Sequence, residues 1–354
     1  NLTNSMVVKL TADLESKYEE FVKNHPYGML YYSLKYRDLL VNHLGFKPHY
    51  FIHLENDSIQ GVLPLMILET AKGIVLNSLP YYGSNGGVLL GSPDEGVRKQ
   101  LVEAYENLCL ELNAISSTLI SNPYDESAID FLKANVSHNH NDFRFGQITP
   151  IPDDGEAVGE ELMASFSNPR PRNIRKAIKS EITVQFEHSK EAMDFLYAVH
   201  KDNIEAIGGL AKSPDFFELV QKIFDDSEYD VITAWKDGER IAALLVFYYN
   251  KTVEYFTPAT ITEFRNLQPS SLLIFEGMKK AASRGFKHWN WGGTWKTQQG
   301  VYDFKKKWGA VDYRYEYFTN LVDDSVLDAS PAELVAEFPN TFVVPFEKLR
   351  NAEN

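Results

Sequence analysis

Cations are concentrated in one short stretch of this sequence, residues 170–179. Five of these ten residues are Arg or Lys, in a chain of 354 residues with a formal net charge of −14. Four of them follow at i, i+3, i+4 and i+7, the spacing of one helix face: Arg172, Arg175, Lys176 and Lys179. Like charges at these spacings repel, and an anionic partner such as a pyrophosphate would relieve the repulsion. A charged helix face in contact with solvent is an equally good interpretation.

A second segment combines tryptophan, glycine and lysine. Three tryptophans at 289, 291 and 295 surround Gly292 and Gly293 within seven residues. Tryptophan provides an apolar wall with one hydrogen-bond donor, and glycine lets the backbone approach a ligand closely. Lys305 follows, and its ammonium could stabilise a developing oxyanion or bind phosphate. The alternative is a tryptophan core followed by a solvated basic run at 305–307.

A third candidate is the start of a helix predicted over 271–284, where Gln268, Ser270 and Ser271 surround Pro269. Exposed amides and the positive end of the helix dipole attract anions, so these residues could hold the phosphates of a donor. A Pro-Ser helix start is also common without any ligand.

Several classes of site have no support in the sequence. His138 and His140 lack an acidic or cysteine partner at a convincing ligand spacing, so no metal is predicted. Signatures of serine hydrolases, P-loop enzymes and dinucleotide-binding dehydrogenases are missing. The net charge of −14 argues against DNA as a partner, because nucleic-acid-binding surfaces are normally basic.

The single cysteine, Cys109, gives no sign of an oxidising compartment. Because no run of about 18 apolar residues occurs and no signal segment is evident, a cytoplasmic location is predicted. Peripheral contact with a membrane remains open, and the sequence does not indicate an oligomeric state.

The segment 149–156, TPIPDDGE, interrupts every periodic pattern and predicts a linker between two halves. In the first half, helices are predicted at 11–24, 31–44 and 94–113, and strands at 49–55, 59–68, 73–79 and 117–121. In the second half, helices are predicted at 156–166, 172–180, 190–206, 213–225 and 271–284, and strands at 229–236, 240–249, 252–258 and 286–292. Helices, an antiparallel meander, one helix and a strand thus occur twice, which predicts an α/β protein with two similar sheet domains.

Four motifs resemble the FemAB-type branch of the GNAT acyltransferase superfamily. They are R-N-I-R-K-A at 172–177, P-S-S-L-L at 269–273, G-V-Y-D-F-K-K-K-W-G at 300–309, and L-P-Y-Y-G at 79–83 with L-P-L at 63–65. The likeness spans most of residues 28–318.

The resemblance implies two tandem GNAT-like (acyl-CoA N-acyltransferase) domains with mixed, largely antiparallel sheets and a cleft between them. The first would cover 1–150, with 319–354 packing on it, and the second 151–318 would carry the active site. Lys305 becomes the leading catalytic residue, and Arg175 a ligand for substrate phosphate. Further cleft residues expected to contact the substrate are Tyr302, Trp295, Arg172, Lys176, Asn290 and Tyr82.

The resemblance further implies transfer of an acyl or aminoacyl group to an amine, from acyl-CoA or aminoacyl-tRNA. Asn290 stands where many relatives carry Asp, so Glu254, Tyr255 or the substrate itself is the expected base. The favoured acceptor is an amino sugar or amino acid on a phosphate-bearing, nucleotide- or lipid-linked envelope precursor, as in polysaccharide or peptidoglycan synthesis. Two alternatives stay open: a tRNA-dependent peptidoglycan bridge-forming aminoacyltransferase, and a catalytically silent binding protein.

Overall fold

The computed structural model describes residues 4–79, 86–295 and 297–351. The chain forms two compact units. Unit 1 comprises Asn1–Phe145 and Tyr313–Asn354, and unit 2 comprises Gly146–Asp312. The C-terminal residues from 313 onward therefore belong to unit 1.

The described chain contains both helices and strands, in the following order. The first elements are β1 (Ser5–Lys9), α1 (Glu15–Asn24), α2 (Leu34–Leu44), β2 (Lys47–Pro48), β3 (Phe51–Glu55), β4 (Ser58–Leu63), β5 (Met66–Thr70), β6 (Gly73–Asn77), β7 (Leu89–Leu90), α3 (Glu95–Leu112), β8 (Ser116–Ile120), α4 (Ala128–Asn135) and β9 (His140–Pro150), the strand that contains the boundary between Phe145 and Gly146. They continue as α5 (Val158–Ser165), α6 (Arg170–Lys179), β10 (Thr183–Glu187), α7 (Lys190–Ala206), α8 (Pro214–Ile223), β11 (Tyr229–Lys236), β12 (Glu239–Tyr249), β13 (Thr252–Thr260), α9 (Pro269–Ser283), β14 (His288–Trp295) and α10 (Gln299–Lys306). The last elements are β15 (Val311–Leu321) and α11 (Pro331–Glu337), and short 3-10 helices occur between elements.

Unit 1 contains an antiparallel sheet in the order β1-β3-β4-β7. Its other strands pair in the order β15-β8-β6-β5-β2, where β6 and β8 are parallel and the other pairs antiparallel. Helix α3 connects the parallel strands and packs against β3 and β4. A core of apolar side chains, including Leu101, Leu119 and Phe318, forms where these elements meet.

Unit 2 has the order β10-β11-β12-β13-β14, antiparallel except for the parallel pair β13–β14. Helices cover both faces of this sheet. Val246 packs in the core with residues of α9, whereas the next residue, Phe247, contacts Phe224 at the end of α8. Since neighbouring residues of a strand point to opposite faces, α8 and α9 lie on opposite sides.

The two units share one order of elements: a strand, two helices, a run of antiparallel strands, then a helix that leads into a parallel strand. In unit 1 the last helix is α3, between β6 and β8. In unit 2 it is α9, between β13 and β14. Both crossovers bury one helix face against the sheet, which parallel strands require of their connection.

Some predicted elements differ from the structure. The strand predicted at 59–68 is two strands, β4 and β5, because Pro64 between them has no N–H for a ladder hydrogen bond. Helix α6 begins at Arg170 and not after Pro171, since proline is tolerated in the first helical turn. Ile174 and Ala177 of this helix are buried, whereas Ile178 is 52% exposed. Strand β9 extends into the predicted linker. The prediction did not include several elements, among them β1, α4, β9, β10, α10, β15 and α11.

Candidate active site

Two neighbouring strands of unit 2, β13 and β14, separate partway along their length. The parallel pairing of β13 and β14 joins three residue pairs and ends at Glu254 and Asn290. Both strands continue, β13 to Thr260 and β14 to Trp295. Beyond the last pair, β13 and β14 no longer pair, so the edge of β13 that faces away from β12 borders a gap in the sheet.

A pocket of about 440 Å³ lies along this edge, a size that suits a small-molecule site. It is bounded by β13, the 3-10 helix Thr262–Leu267, the start of α9, and one residue each from α7 and α10. Its lining residues are Asn203, Tyr255, Pro258, Ala259, Thr260, Arg265, Gln268, Ser270, Ile274 and Phe304. Three residues singled out in the sequence, Tyr255, Gln268 and Ser270, therefore share one pocket.

Tyr255 supplies the phenol of this pocket. Its ring lies 4.7 Å from that of Trp291, centroid to centroid. Burial raises the pKa of the Tyr255 hydroxyl, and the nearby Arg170 guanidinium opposes that rise only in part. The hydroxyl is therefore neutral near pH 7 and can donate a proton or a hydrogen bond.

Arg170 is a neighbour of the pocket that the sequence did not single out individually. Its guanidinium lies 4.5 Å from the ring centre of Phe304 and 5.2 Å from that of Trp308. Its Nη2 donates to the backbone oxygen of Phe304 at 3.1 Å. Burial lowers the pKa of Arg170, but an arginine remains cationic at physiological pH. The available signal was the N-P-R-P segment that precedes the cationic face.

Glu254 and Asn290 form a buried pair where the strands part. Asn290 Nδ2 donates to Glu254 Oε2 at 2.8 Å, and Asn290 Oδ1 accepts from the backbone N–H of Gly292 at 2.9 Å. The two residues are 1% and 2% exposed. Because Glu254 and Tyr255 are neighbours in β13, their side chains leave opposite faces of the sheet. The carboxylate and the phenol thus approach the gap from two sides.

Lys305 is buried and fixes the second strand of the gap. Its Nζ donates to Thr294 Oγ1 at 2.8 Å and lies 3.5 Å from the backbone oxygen of Gly293. Thr294 in turn donates to Gln147 Oε1 at 2.6 Å. Burial lowers the pKa of Lys305 to about 8. Among the described residues, Phe304 lines the pocket whereas its neighbour Lys305 does not. The Lys305 ammonium therefore reaches the site through its contacts with Gly293 and Thr294 of β14.

Two residues predicted to line a cleft lie elsewhere. The Tyr302 hydroxyl donates to Asp312 Oδ2 at 2.5 Å, and this contact raises the pKa of Tyr302 to about 12. The backbone N–H of Trp295 donates to Gln298 Oε1 at 3.2 Å. Neither residue borders the 440 Å³ pocket. Tyr82 lies outside the described residues.

Apart from Arg170, which neighbours it, the cations of α6 do not border this pocket. Arg172, Arg175 and Lys176 are exposed. Arg175 instead borders a second pocket of about 610 Å³, formed by α5, α6 and α9, which Lys279 also lines. In the described part of unit 2, the exposed α6 cations and Lys305 therefore do not line one pocket, because Lys305 turns inward while the exposed α6 cations face solvent.

The start of α9 borders the pocket as predicted from the sequence. Gln268 precedes the helix in the left-handed region, with φ of 61°, and no side chain caps the helix. The first-turn amides, which have no partner within the helix, are the groups that can bind an anion there. Ser270 lines the pocket, whereas Ser271 is buried at 4% exposure.

The described residues contain no group of three His, Cys, Asp or Glu side chains that could hold a metal ion. None of the helices in the described ranges is both long enough and apolar enough to span a bilayer.

A match to a known protein family lies within unit 2. A family model described as an acetyltransferase (GNAT) domain matches residues 170–306, from the first residue of α6 to the last of α10. The match therefore includes every residue that lines the 440 Å³ pocket. No curated protein matches the sequence.

Solved structures share the fold over most of the chain. FemX is 17% identical, with a TM-score of 0.69 over 88% of this chain and 97% of its own. A tandem GNAT protein from the clavulanic acid biosynthesis pathway is 10% identical, with a TM-score of 0.54 over 90% and 99%. The C-terminal domain of a putative lysylphosphatidylglycerol synthetase from Agrobacterium fabrum is 12% identical, with a TM-score of 0.54 over 92% and 97%. The predicted resemblance and the predicted fold of tandem GNAT-like domains are confirmed, and residues 170–306 of unit 2 match an acetyltransferase (GNAT) domain.

Proposed function

We propose, from the acetyltransferase (GNAT) domain at residues 170–306, that this protein transfers an acyl or aminoacyl group to an amine of a cell-envelope precursor. The observation that carries the proposal is the gap between β13 and β14, with a pocket beside it and a phenol and a carboxylate on its two sides. In this arrangement a carbonyl held in the gap lies between the phenol on one face of the sheet and the carboxylate on the other.

The reaction needs one bond to form and one to break at the carbonyl carbon. The amine nitrogen of the acceptor attacks that carbon, and the bond to the donor's sulfur or oxygen breaks. Glu254 takes the proton that the attacking amine loses, and the Tyr255 hydroxyl gives a proton to the leaving group. Burial keeps the phenol protonated until it is used, which suits a general acid.

Lys305 has a positioning role in this proposal. It does not line the pocket, but its ammonium holds Gly293 and Thr294 on β14. A fixed positive charge behind that strand favours negative charge on the carbonyl oxygen as the intermediate forms. The first-turn amides of α9, next to Gln268 and Ser270, are placed to bind an anionic part of the donor.

The acceptor class rests on charge and on fold similarity. The exposed cations of α6 suit a phosphate-bearing precursor, such as a nucleotide- or lipid-linked amino sugar. The fold is shared with FemX and with a protein named for the synthesis of lysylphosphatidylglycerol, a lipid that carries an amino acid. Acyl-CoA and aminoacyl-tRNA are the two donors to compare. An aminoacyl-tRNA-dependent transferase is the second candidate, and the fold shared with FemX is compatible with it.

The test is a transfer assay on the full chain with a nucleotide-linked amino sugar and either acetyl-CoA or aminoacyl-tRNA. Mass spectrometry of the acceptor measures acylation, and a ribonuclease-treated sample separates the donors. We expect Tyr255→Phe and Glu254→Gln each to lower kcat about 100-fold or more. Tyr197→Phe, on α7 and outside the pocket lining, is the matched control and should keep the wild-type rate.

Two results would contradict the proposal. Normal turnover in both the Tyr255→Phe and the Glu254→Gln variants would remove their roles in proton transfer. Retention of a donor or acceptor by the purified protein, seen by native mass spectrometry, without turnover of any donor would identify a silent binding protein.

A further inference from the structure

A side chain from α7 occupies the backbone groups of the last residue of β13, on the edge that borders the gap. Asn203 Nδ2 donates to the backbone oxygen of Thr260 at 2.9 Å, and Asn203 Oδ1 accepts from the Thr260 N–H at 3.0 Å. One amide side chain therefore satisfies both backbone groups of the last residue of the strand. It makes the two bonds that a neighbouring strand would otherwise make.

These backbone groups belong to the edge that faces the pocket. The N–H of Ile261 donates to the backbone oxygen of Ile241, which directly precedes the β12 residue paired with Thr260. Backbone groups of successive residues alternate in direction along a strand, so those of Thr260 point away from β12. Both Thr260 and Asn203 line the pocket, in agreement with this direction.

Pro258, on the same edge, has no backbone N–H to donate. It lies two residues before Thr260 and so faces the same side. Of these two edge positions, the one at 258 offers only a carbonyl, and the one at 260 is occupied by Asn203. The stretch of β13 that borders the pocket therefore has no free N–H at either position.

This closure bears on the choice of donor. An extended chain that carries amides can add to an exposed sheet edge through backbone hydrogen bonds. The arm of coenzyme A is such a chain, and its amide oxygens need N–H donors from the protein. A donor whose acyl group sits on a compact carrier, without such an arm, needs no strand edge.

We infer that Asn203 is a specificity-determining residue, which closes the edge of β13 against donors that carry their acyl group on an extended, amide-bearing arm. The inference rests on the proposed function, because it assigns the pocket beside β13 to the donor. Asn203 is only partly buried, so its replacement does not open a cavity in the core.

The experiment measures acetyl-CoA binding to the full chain by calorimetry. Wild type should bind acetyl-CoA weakly, and Asn203→Ala should bind it at least tenfold more tightly, because the Thr260 N–H and C=O become available. Amide hydrogen exchange at Thr260 should accelerate in the variant, which reports directly on the opened edge. Asn135→Ala, which removes a similar amide-to-backbone bond from α4 in unit 1, is the matched control.

Tight binding of acetyl-CoA by wild type, or no gain in Asn203→Ala although Thr260 exchanges faster, would overturn the inference. If the alanine variant does not fold, Asn203→Ser replaces it, because a serine hydroxyl is too short to bond both groups. The transfer assay distinguishes this outcome from failure of the proposed function. If Asn203→Ala binds acetyl-CoA more tightly but no transfer occurs, the proposed transferase function is refuted and the role of Asn203 in donor specificity is not. If wild type and variant transfer from acetyl-CoA at equal rates, only the role of Asn203 in specificity is refuted.

Discussion

Lys305 is subject to two opposing influences on its charge. Burial lowers its pKa to about 8, whereas the acceptors at Thr294 and Gly293 favour the ammonium form. The side chain is therefore charged at neutral pH and begins to lose its proton under mildly alkaline conditions. In the unfolded chain the same group keeps its proton up to a pKa of about 10.5.

This difference predicts how stability depends on pH. Between about pH 8 and 10 the unfolded protein binds more protons at Lys305 than the folded protein, so this residue makes the free energy of unfolding rise with pH. The rise should be on the order of 1–3 kcal/mol across this window. Urea unfolding of wild type and Lys305→Met at pH 8 and pH 10 measures it. The difference in unfolding free energy between the two proteins should shift in favour of wild type, and a constant difference would contradict the lowered pKa.

The residues of the pocket show what local sequence can and cannot predict. Gln268 and Ser270 were identified because a helix start has a recognisable pattern, and Tyr255 because the implied reaction needs a base. Asn203 was not, because its partner Thr260 is 57 residues away and a polar residue on a helix carries no sign of such a contact. Lys305 was expected to face a ligand, but residue spacing cannot reveal that Thr294 would accept its hydrogen bond.

Three elements of unit 2 are joined by one buried carboxylate. Asp230 on β11 accepts from Lys280 Nζ of α9 at 2.7 Å and from the Tyr248 hydroxyl of β12 at 2.6 Å. His188 Nε2, after β10, lies 2.8 Å from its other oxygen. The Asp230 side chain is 1% exposed, so its charge depends on these partners.

Loss of the lysine should therefore destabilise unit 2. Lys280→Met leaves a buried carboxylate without its cation, and we expect a loss of about 2 kcal/mol or more of unfolding free energy. Lys279→Met is the matched control, because Lys279 makes a longer contact of 3.6 Å with the partly exposed Glu276. The control should lose less than about 0.5 kcal/mol. Equal losses in urea unfolding would mean that Asp230 does not need Lys280.

At the level of elements, the sequence predicted best where periodicity is strong. The bounds predicted for α7, 190–206, and for β11, 229–236, are those observed. Strands β9 and β15 were missed, because many of their residues are polar and their pairing partners are distant in sequence. Strand identity in such segments is decided by long-range pairing and not by local preference.

Across the whole molecule, the exposed cations of α6 contrast with a net charge of −14. A phosphate-bearing ligand is repelled by the chain as a whole and attracted only locally, so its binding should depend on this helix. Arg172→Glu combined with Lys176→Glu should weaken binding of uridine diphosphate about tenfold at 50 mM salt, measured by calorimetry. At 0.5 M salt the difference should largely vanish, because the screening length then falls to a few ångströms.

The control for this prediction carries the same change in total charge. Lys23→Glu combined with Lys99→Glu changes two exposed lysines of unit 1. If this pair weakens binding as much as the α6 pair, net charge alone explains the effect and α6 is not the binding surface.

The closed edge of β13 has a consequence for the protein in concentrated solution. A strand edge with free N–H and C=O groups can recruit a strand from another molecule and so start aggregation. On the side of this edge that faces the pocket, Pro258 has no N–H, and Asn203 bonds the N–H of Thr260. A gap in a sheet, which a binding site requires, can therefore persist here without offering neighbouring chains a place to attach.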